Sequence, residues 1–269
     1  MTTYNAHSGQ LGYALYLPPR INHRHLLVAV HGVQSKASTV VQHFASVAER
    51  SGFVVMAPDF STPRFKGYQR LEGAEGADQA ALALDLGARD IAERLGLEPG
   101  SFNLFGFSGG AQFAHRYAMT RPGRINQLIV ASAGWYTECD LQSPFPGGLQ
   151  GVADQAALRA FLSLPIQVAV GEQDTQRDSQ LRKTTEIDTR QGRNRLQRAR
   201  FWAEHLRQSA ASLNMDHQVA FTRLPRTGHR LREAIERGGL AELVEAIIIT
   251  SNTLALAQCQ SCRAPWPIV

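Results

Sequence analysis

An α/β fold, a mostly parallel twisted sheet with helices on both faces, is what this sequence predicts, and three observations predict it. Short apolar runs of strand type alternate along the chain with longer stretches of helical periodicity, the pattern of strand–helix–strand units. Several of those runs, His25–Val30, Phe53–Ala57 and Ile166–Val170 among them, are apolar throughout, as strands covered on both faces must be. The polar residues capable of chemistry sit just after the carboxyl ends of the runs, where open α/β sheets carry their sites. The 269 residues hold no internal repeat, low-complexity stretch or linker, so a single domain over 1–269 is expected, with a weakly structured tail from about 255.

Taken in order, Leu11–Leu17 alternates and stops at Pro18-Pro19, which predicts an early antiparallel edge strand. His25–Val30 is the next strand and runs out through His31-Gly32-Val33. Apolar positions at Val40, Val41, Phe44, Val47 and Ala48 predict a helix over Thr39–Arg50, ended by Gly52. Phe53–Ala57 is a strand stopped by Pro58, and a long alanine- and leucine-rich helix is expected from about Asp78 to Leu95. Phe102–Phe107 and Ile125–Ala131 are strands on either side of a helix over Ala111–Met119. A short helix at Ala156–Leu162, a strand at Ile166–Val170, a long polar loop at Thr175–Asn194 and a helix at Arg195–Leu213 follow. His217–Leu224 is the last strand, and one final helix is expected over Leu231–Ile249.

Composition sets limits on the class. With 43% apolar and 19% charged residues the chain is neither disordered nor fibrous. Met1–Pro19 shows no basic region followed by an apolar stretch, and no run is long enough for a membrane span, so a cytoplasmic location and no membrane partner are expected. Cys139 stands alone, and Cys259 and Cys262 form a C-x-x-C without further ligands nearby, which favours free thiols in a reducing compartment over a metal site, with a local disulfide in the tail as the alternative. The net charge of +5 is concentrated in Arg177–Arg207, where eight arginines and Lys183 outweigh Asp178, Glu186, Asp188 and Glu204. Without interleaved aromatic residues or a binding motif, that segment reads as a solvated, salt-bridged helix face and not as a nucleic-acid site.

The densest motif is Gly106-Phe107-Ser108-Gly109-Gly110, set between a strand and a helix. A serine at the apex of so tight a turn presents its hydroxyl at the positive end of a helix. The glycines two before and two after it let the two backbones meet, and Ser108 itself is expected in a strained backbone region. A serine hydroxyl needs a base in contact, and the base needs an orienting acid. Of nine histidines, His229 falls in a loop after a strand, behind Thr227-Gly228. Asp174 follows the Ile166–Val170 strand at once, with Glu172 and Asp178 as competitors. Two backbone N–H groups must stabilise a tetrahedral oxyanion; Gly109, next after the serine, and Val33, in the loop after the second strand, are the candidates. His31 is read as a structural hydrogen-bonding residue, and Phe107 as packed beneath the turn.

The order Ser108, Asp174, His229 with His31-Gly32 upstream resembles the α/β-hydrolase superfamily from about Leu11 to Ile249. The Gly-Phe-Ser-Gly-Gly elbow, Ala-Gly-Trp-Tyr after the Ile125–Ala131 strand and Pro144-Phe-Pro-Gly-Gly148 look like the lidless serine esterases related to polyhydroxybutyrate depolymerases and dienelactone hydrolases. The resemblance implies hydrolysis of carboxylic esters through an acyl-enzyme, with a small-molecule ester as partner and no cofactor or metal. A serine peptidase like the prolyl oligopeptidase group, an acyltransferase and a non-catalytic binding module are the alternatives. The roughly thirty residues between Ala131 and Ile166 are too few for a multi-helix cap, so Trp135 and Tyr136 are candidate walls of an open acyl pocket. Arg177 or Arg182, in the loop that follows Asp174, is a candidate partner for an acidic substrate group.

Overall fold

The structure is a computed structural model that describes residues 3–8, 11–71 and 77–258; Cys259 and Cys262 lie outside the described residues. The elements in order are β1 (Thr3–Ser8), β2 (Leu11–Tyr16), β3 (Leu27–Val30), α1 (Ala37–Ser51), β4 (Val55–Pro58), α2 (Ala77–Arg94), β5 (Phe102–Phe107), α3 (Gly109–Thr120) and β6 (Ile125–Ala131). They continue with α4 (Gln155–Leu162), β7 (Pro165–Gly171), α5 (Thr185–Gln191), α6 (Arg195–Ser212), β8 (Gln218–Leu224), α7 (Leu231–Glu236) and α8 (Leu240–Gln258).

Among the described residues, eight strands form one sheet in the order β1-β2-β4-β3-β5-β6-β7-β8. The strands from β4 to β8 run parallel, while β2 pairs antiparallel with both β4 and β1. Alternate residues of each strand feed two cores. Val28, Val30, Leu104, Leu128 and Val130 point to the face covered by α2, α3, α4 and α6, around Phe113, Tyr117 and Trp202. Leu27, Ala29, Phe105, Ile129 and Ala131 point to the other face, closed by α1 and α8 through Phe44, Val244 and Ile248. Both faces being buried is why these strands carry no polar alternation.

Three expectations are corrected. β2 is antiparallel but not an edge, because β1 pairs along its whole length; Thr3–Ser8 is too polar to announce itself as a strand. The single terminal helix is two, α7 and α8, broken at Gly239, whose left-handed backbone (φ 70°) no helix continues through, and α8 runs past residue 255 to Gln258. The loop over 175–194 contains α5, started by the Thr184 side chain accepting from the N–H of Ile187. Among the described residues no helix is long and apolar enough to cross a membrane.

Candidate active site

The site is assembled at the carboxyl edge of the parallel strands. β5 runs into α3 through Ser108 with no intervening loop, and the serine backbone takes φ 56° and ψ −114°. That conformation costs about 1–3 kcal/mol and is held in place by its surroundings. Here the surroundings are the N–H of Ser108 donating to the Ala131 carbonyl (2.9 Å), which ties the turn to the end of β6. The turn is open only to glycine: a Cβ on Gly106 would lie 2.2 Å from the Gly110 oxygen, and one on Gly110 would lie 2.1 Å from the Val30 oxygen.

A second close approach brings in the other two groups. The chain leaving β7 at Gly171 lies against the turn leaving β8, so that a Cβ on Gly171 would stand 2.4 Å from the Thr227 oxygen. Backbone bonds from Glu172 to Leu224 and from Gln173 to Thr227, both 2.9 Å, lock the two loops together. Asp174 and His229 thereby meet: Nδ1 of His229 donates to Oδ2 of Asp174 at 2.8 Å, and Nε2 of His229 is 3.0 Å from Oγ of Ser108. Asp174 is fully buried, His229 is largely covered, and the ring of Phe107 stacks on the imidazole with centroids 5.4 Å apart. Phe107 therefore packs against the imidazole from within the core closed by α1 and α8. Glu172 points to solvent, and Asp178 is engaged elsewhere, bonded to both guanidinium nitrogens of Arg195 at 2.7 and 3.0 Å. That contact with Arg195 holds the Asp178 carboxyl down at about 2.

His31 is the frame of the loop after β3. Its Nε2 accepts from the N–H of Phe60 (3.1 Å), so Nδ1 carries the proton and donates to the Gly32 carbonyl (2.8 Å). The Tyr68 hydroxyl donates to the His31 carbonyl at 2.7 Å. This frame brings the backbone nitrogen of Val33 to 3.2 Å from the position that a Gly109 side chain would occupy. The N–H of Gly109 is the first of α3, and the first N–H groups of a helix have no partner within it. The start of α3 and the loop after β3 thus lie against each other beside Ser108.

Trp135 and Tyr136 separate. The Tyr136 ring has no exposed surface; it stacks on Trp202 at 4.7 Å and lies 5.4 Å from the His115 ring, so it is core and not a pocket wall. Its backbone N–H and carbonyl are both bonded to the Gln191 side chain, which turns the ring inward. Trp135 lies between the guanidiniums of Arg116 (4.2 Å) and Arg182 (4.9 Å) and lines a cavity of about 270 Å³ with Glu138, Pro146, Arg182, Ile187 and Gln191. Ser108 is not among the residues lining that cavity. The arginine-rich segment is also corrected. Arg195 and Arg198 are buried, and Arg198 ties together the carbonyls of Gly134 (2.5 Å), Gly192 (2.8 Å) and Arg182 (2.9 Å) with the Asp188 carboxylate (2.8 Å). Arg177 is held by the same carboxylate at 2.7 Å. Charge clusters usually face solvent, but here unpaired loop carbonyls draw the guanidiniums inward. Asn194, whose side chain caps α6 at the N–H of Gln197, is the one sequence signal that fixes Arg195 at the helix start.

Sheet order, elbow and strand-end loops together define the α/β-hydrolase fold. Solved structures of that fold match over almost the whole chain. Poly(aspartic acid) hydrolase-1 from Sphingomonas sp. KT-1 superposes with a TM-score of 0.78 at 24% identity, covering 92% of this chain and 97% of its own. LpqC, a poly(3-hydroxybutyrate) depolymerase from Bordetella parapertussis, gives 0.75 at 23% identity, covering 96% and 93%. EstE1, a thermostable carboxylesterase from a metagenomic library, gives 0.61 at 14%, covering 94% and 88%. No protein-family model and no curated protein matches the sequence.

Proposed function

We propose that the protein is a serine hydrolase that cleaves carboxylic esters through an acyl-enzyme, with Ser108 as nucleophile, His229 as general base and acid, and Asp174 as the orienting carboxylate. The observation that carries the reading is the continuous line of hydrogen bonds from Ser108 Oγ through the His229 ring to Asp174, at 3.0 and 2.8 Å. In the forward step the Ser108 oxygen attacks the ester carbonyl while Nε2 of His229 takes its proton. The tetrahedral oxyanion is held by the N–H groups of Val33 and Gly109, and the proton on Nε2 passes to the leaving alcohol. Water, deprotonated by the same nitrogen, then attacks the acyl carbonyl; the bond to the Ser108 oxygen breaks, the acid leaves, and the proton on Nε2 returns to that oxygen. Asp174 keeps the proton on Nδ1 throughout and stabilises the imidazolium while it exists. Every step uses groups of this chain, and the similarity to an esterase and a polyester depolymerase of the same fold supports an ester as the substrate.

An amide substrate is the second reading, favoured by the likeness to a hydrolase of poly(aspartic acid), whose backbone is joined by amides. In either case the expected partner is a small molecule or an extended polymer segment bound without a cofactor, by an enzyme of the cytoplasm. A fluorophosphonate probe tests the shared chemistry: it labels the wild-type protein and leaves Ser108→Ala unlabelled. Parallel assays on short-chain p-nitrophenyl esters and amino-acid anilides then divide the two readings, with ester turnover in excess expected.

A further inference from the structure

The second oxygen of Asp174 is unaccounted for by this mechanism. Oδ1 is buried and receives no hydrogen bond, yet the residue has no exposed surface. A buried carboxylate in that condition needs a compensating charge. The group that faces it is Arg195, at the first position of α6, with Nη1 3.6 Å from Oδ1 and only 1% of its side chain exposed. Arg195 does not close on Asp174 because Asp178 holds the guanidinium by both terminal nitrogens, while its Nε is buried without a partner. The N–H of Leu196, the next residue of the helix, donates to the Asp174 carbonyl at 3.2 Å, so the helix start and the acid are fixed to each other.

We propose that Arg195 is a positioning residue of the hydrolytic machinery: fixed by Asp178, it acts through Asp174 by facing its second oxygen, holding that carboxylate correctly turned and available to Nδ1 of His229. The inference rests on the reading of Ser108, His229 and Asp174 as the reacting groups. Neighbouring charges are themselves paired. Asp188 of α5 takes both Arg198 of α6 and Arg177, at 2.8 and 2.7 Å. Those three, with Asp174, Arg195 and Asp178, make a balanced set of carboxylates and guanidiniums. Glu233 of α7, near Gly228, is met by Arg230 at 3.7 Å. The Tyr136 phenol behind Asp174 is kept neutral by burial, which raises it above its ordinary value. Removing the Arg195 charge leaves the set one unit negative, and removing the Asp178 charge leaves it one unit positive.

That sign difference is the test, because a merely structural residue would not produce it. Arg195→Met, Arg195→Lys and Asp178→Asn are compared with wild type by the pH dependence of fluorophosphonate labelling of Ser108. The titration of the His229 ring, followed by NMR in the same proteins, gives a readout independent of turnover. Arg195→Met is expected to slow labelling at neutral pH roughly ten- to a hundredfold and to move its acid limb, and the His229 titration, upward by about one pH unit. Arg195→Lys restores the limb, and Asp178→Asn moves it downward. On an ester substrate the loss in Arg195→Met falls on kcat, with KM within about twofold of wild type. The proposal is overturned if folded Arg195→Met keeps the wild-type limb. It is equally overturned if Asp178→Asn moves the limb upward or not at all, which decides the matter even if Arg195→Met fails to fold. A wild-type protein that the probe does not label overturns the functional reading itself, whereas a labelled wild type with unshifted variants overturns only the role of Arg195.

Discussion

Ser108 holds a backbone conformation with φ 56° that a non-glycine residue adopts only under constraint, and the constraint comes from three directions at once. Gly106 and Gly110 let β3, β5 and α3 close on one another, and the Ala131 carbonyl pins the serine N–H. The hydroxyl is thereby fixed against His229, and in the proposed acyl transfer this is the preorganisation the reaction needs. Two outcomes follow at this scale. Ser108→Ala or His229→Ala, measured as kcat/KM on a p-nitrophenyl ester, loses activity by about 10⁴-fold or more, and combining them costs little beyond either alone, because the groups act as a unit. Gly109→Ala tests the proposed oxyanion donors separately: its Cβ would stand 2.7 Å from Val33 Cγ2 and 3.2 Å from Val33 N, so the two backbones must part. With Ser108 and His229 intact, kcat is expected to fall about 10²-fold with little change in KM.

At the scale of the elements, the geometry of the candidate site is set by where loops are forced together. Gly171 lets the ends of β7 and β8 approach closely enough for the backbone bonds of Glu172 and Gln173 to join the loops that carry Asp174 and His229. Gly171→Ala is expected to destabilise the fold by about 3 kcal/mol, read from chemical denaturation, and to lower activity in the fraction that remains folded. Asn194→Ala removes the cap of α6 and costs about 1 kcal/mol, a smaller effect because the rest of the helix is packed around Trp202. The elbow, the strand-end positions of Asp174 and His229 and the framing role of His31 were all legible in the sequence, since each depends on a local pattern: glycines around a serine, or a polar residue closing an apolar run. What was not legible depends on partners distant in the chain. Tyr136 is turned inward by Gln191, fifty-five residues on. Arg195 and Arg198 are drawn in by carbonyls and carboxylates of other loops, so a run of similar arginines divides into buried and exposed members that composition cannot separate.

Across the whole molecule, burial has neutralised much of the histidine complement. His31 and His115 are fully buried, each accepting a backbone N–H at Nε2 and donating from Nδ1 to a carbonyl, an arrangement that holds only for the neutral ring. Desolvation lowers both below the ordinary 6.5, and His23, His25, His43 and His205 are lowered for the same first reason. The unfolded chain therefore binds more protons than the folded one below pH 6.5, so stability is complete above that value and is lost as pH falls through it. Thermal unfolding should show a nearly constant Tm between pH 7 and 8 and a Tm lower by about 10 °C at pH 5. A Tm that rose on acidification would contradict this account of the core histidines.

The arrangement of Ser108 with the amides of Val33 and Gly109 is tested most directly by the crystal structure of the protein inactivated with a phosphonate. The phosphorus is expected on Ser108 Oγ, with its charged oxygen at about 2.7–3.1 Å from the nitrogens of both Val33 and Gly109 and with His229 Nε2 still facing the serine oxygen. Phosphorus bonded to any other residue, or a phosphonyl oxygen turned away from both amides, would contradict it.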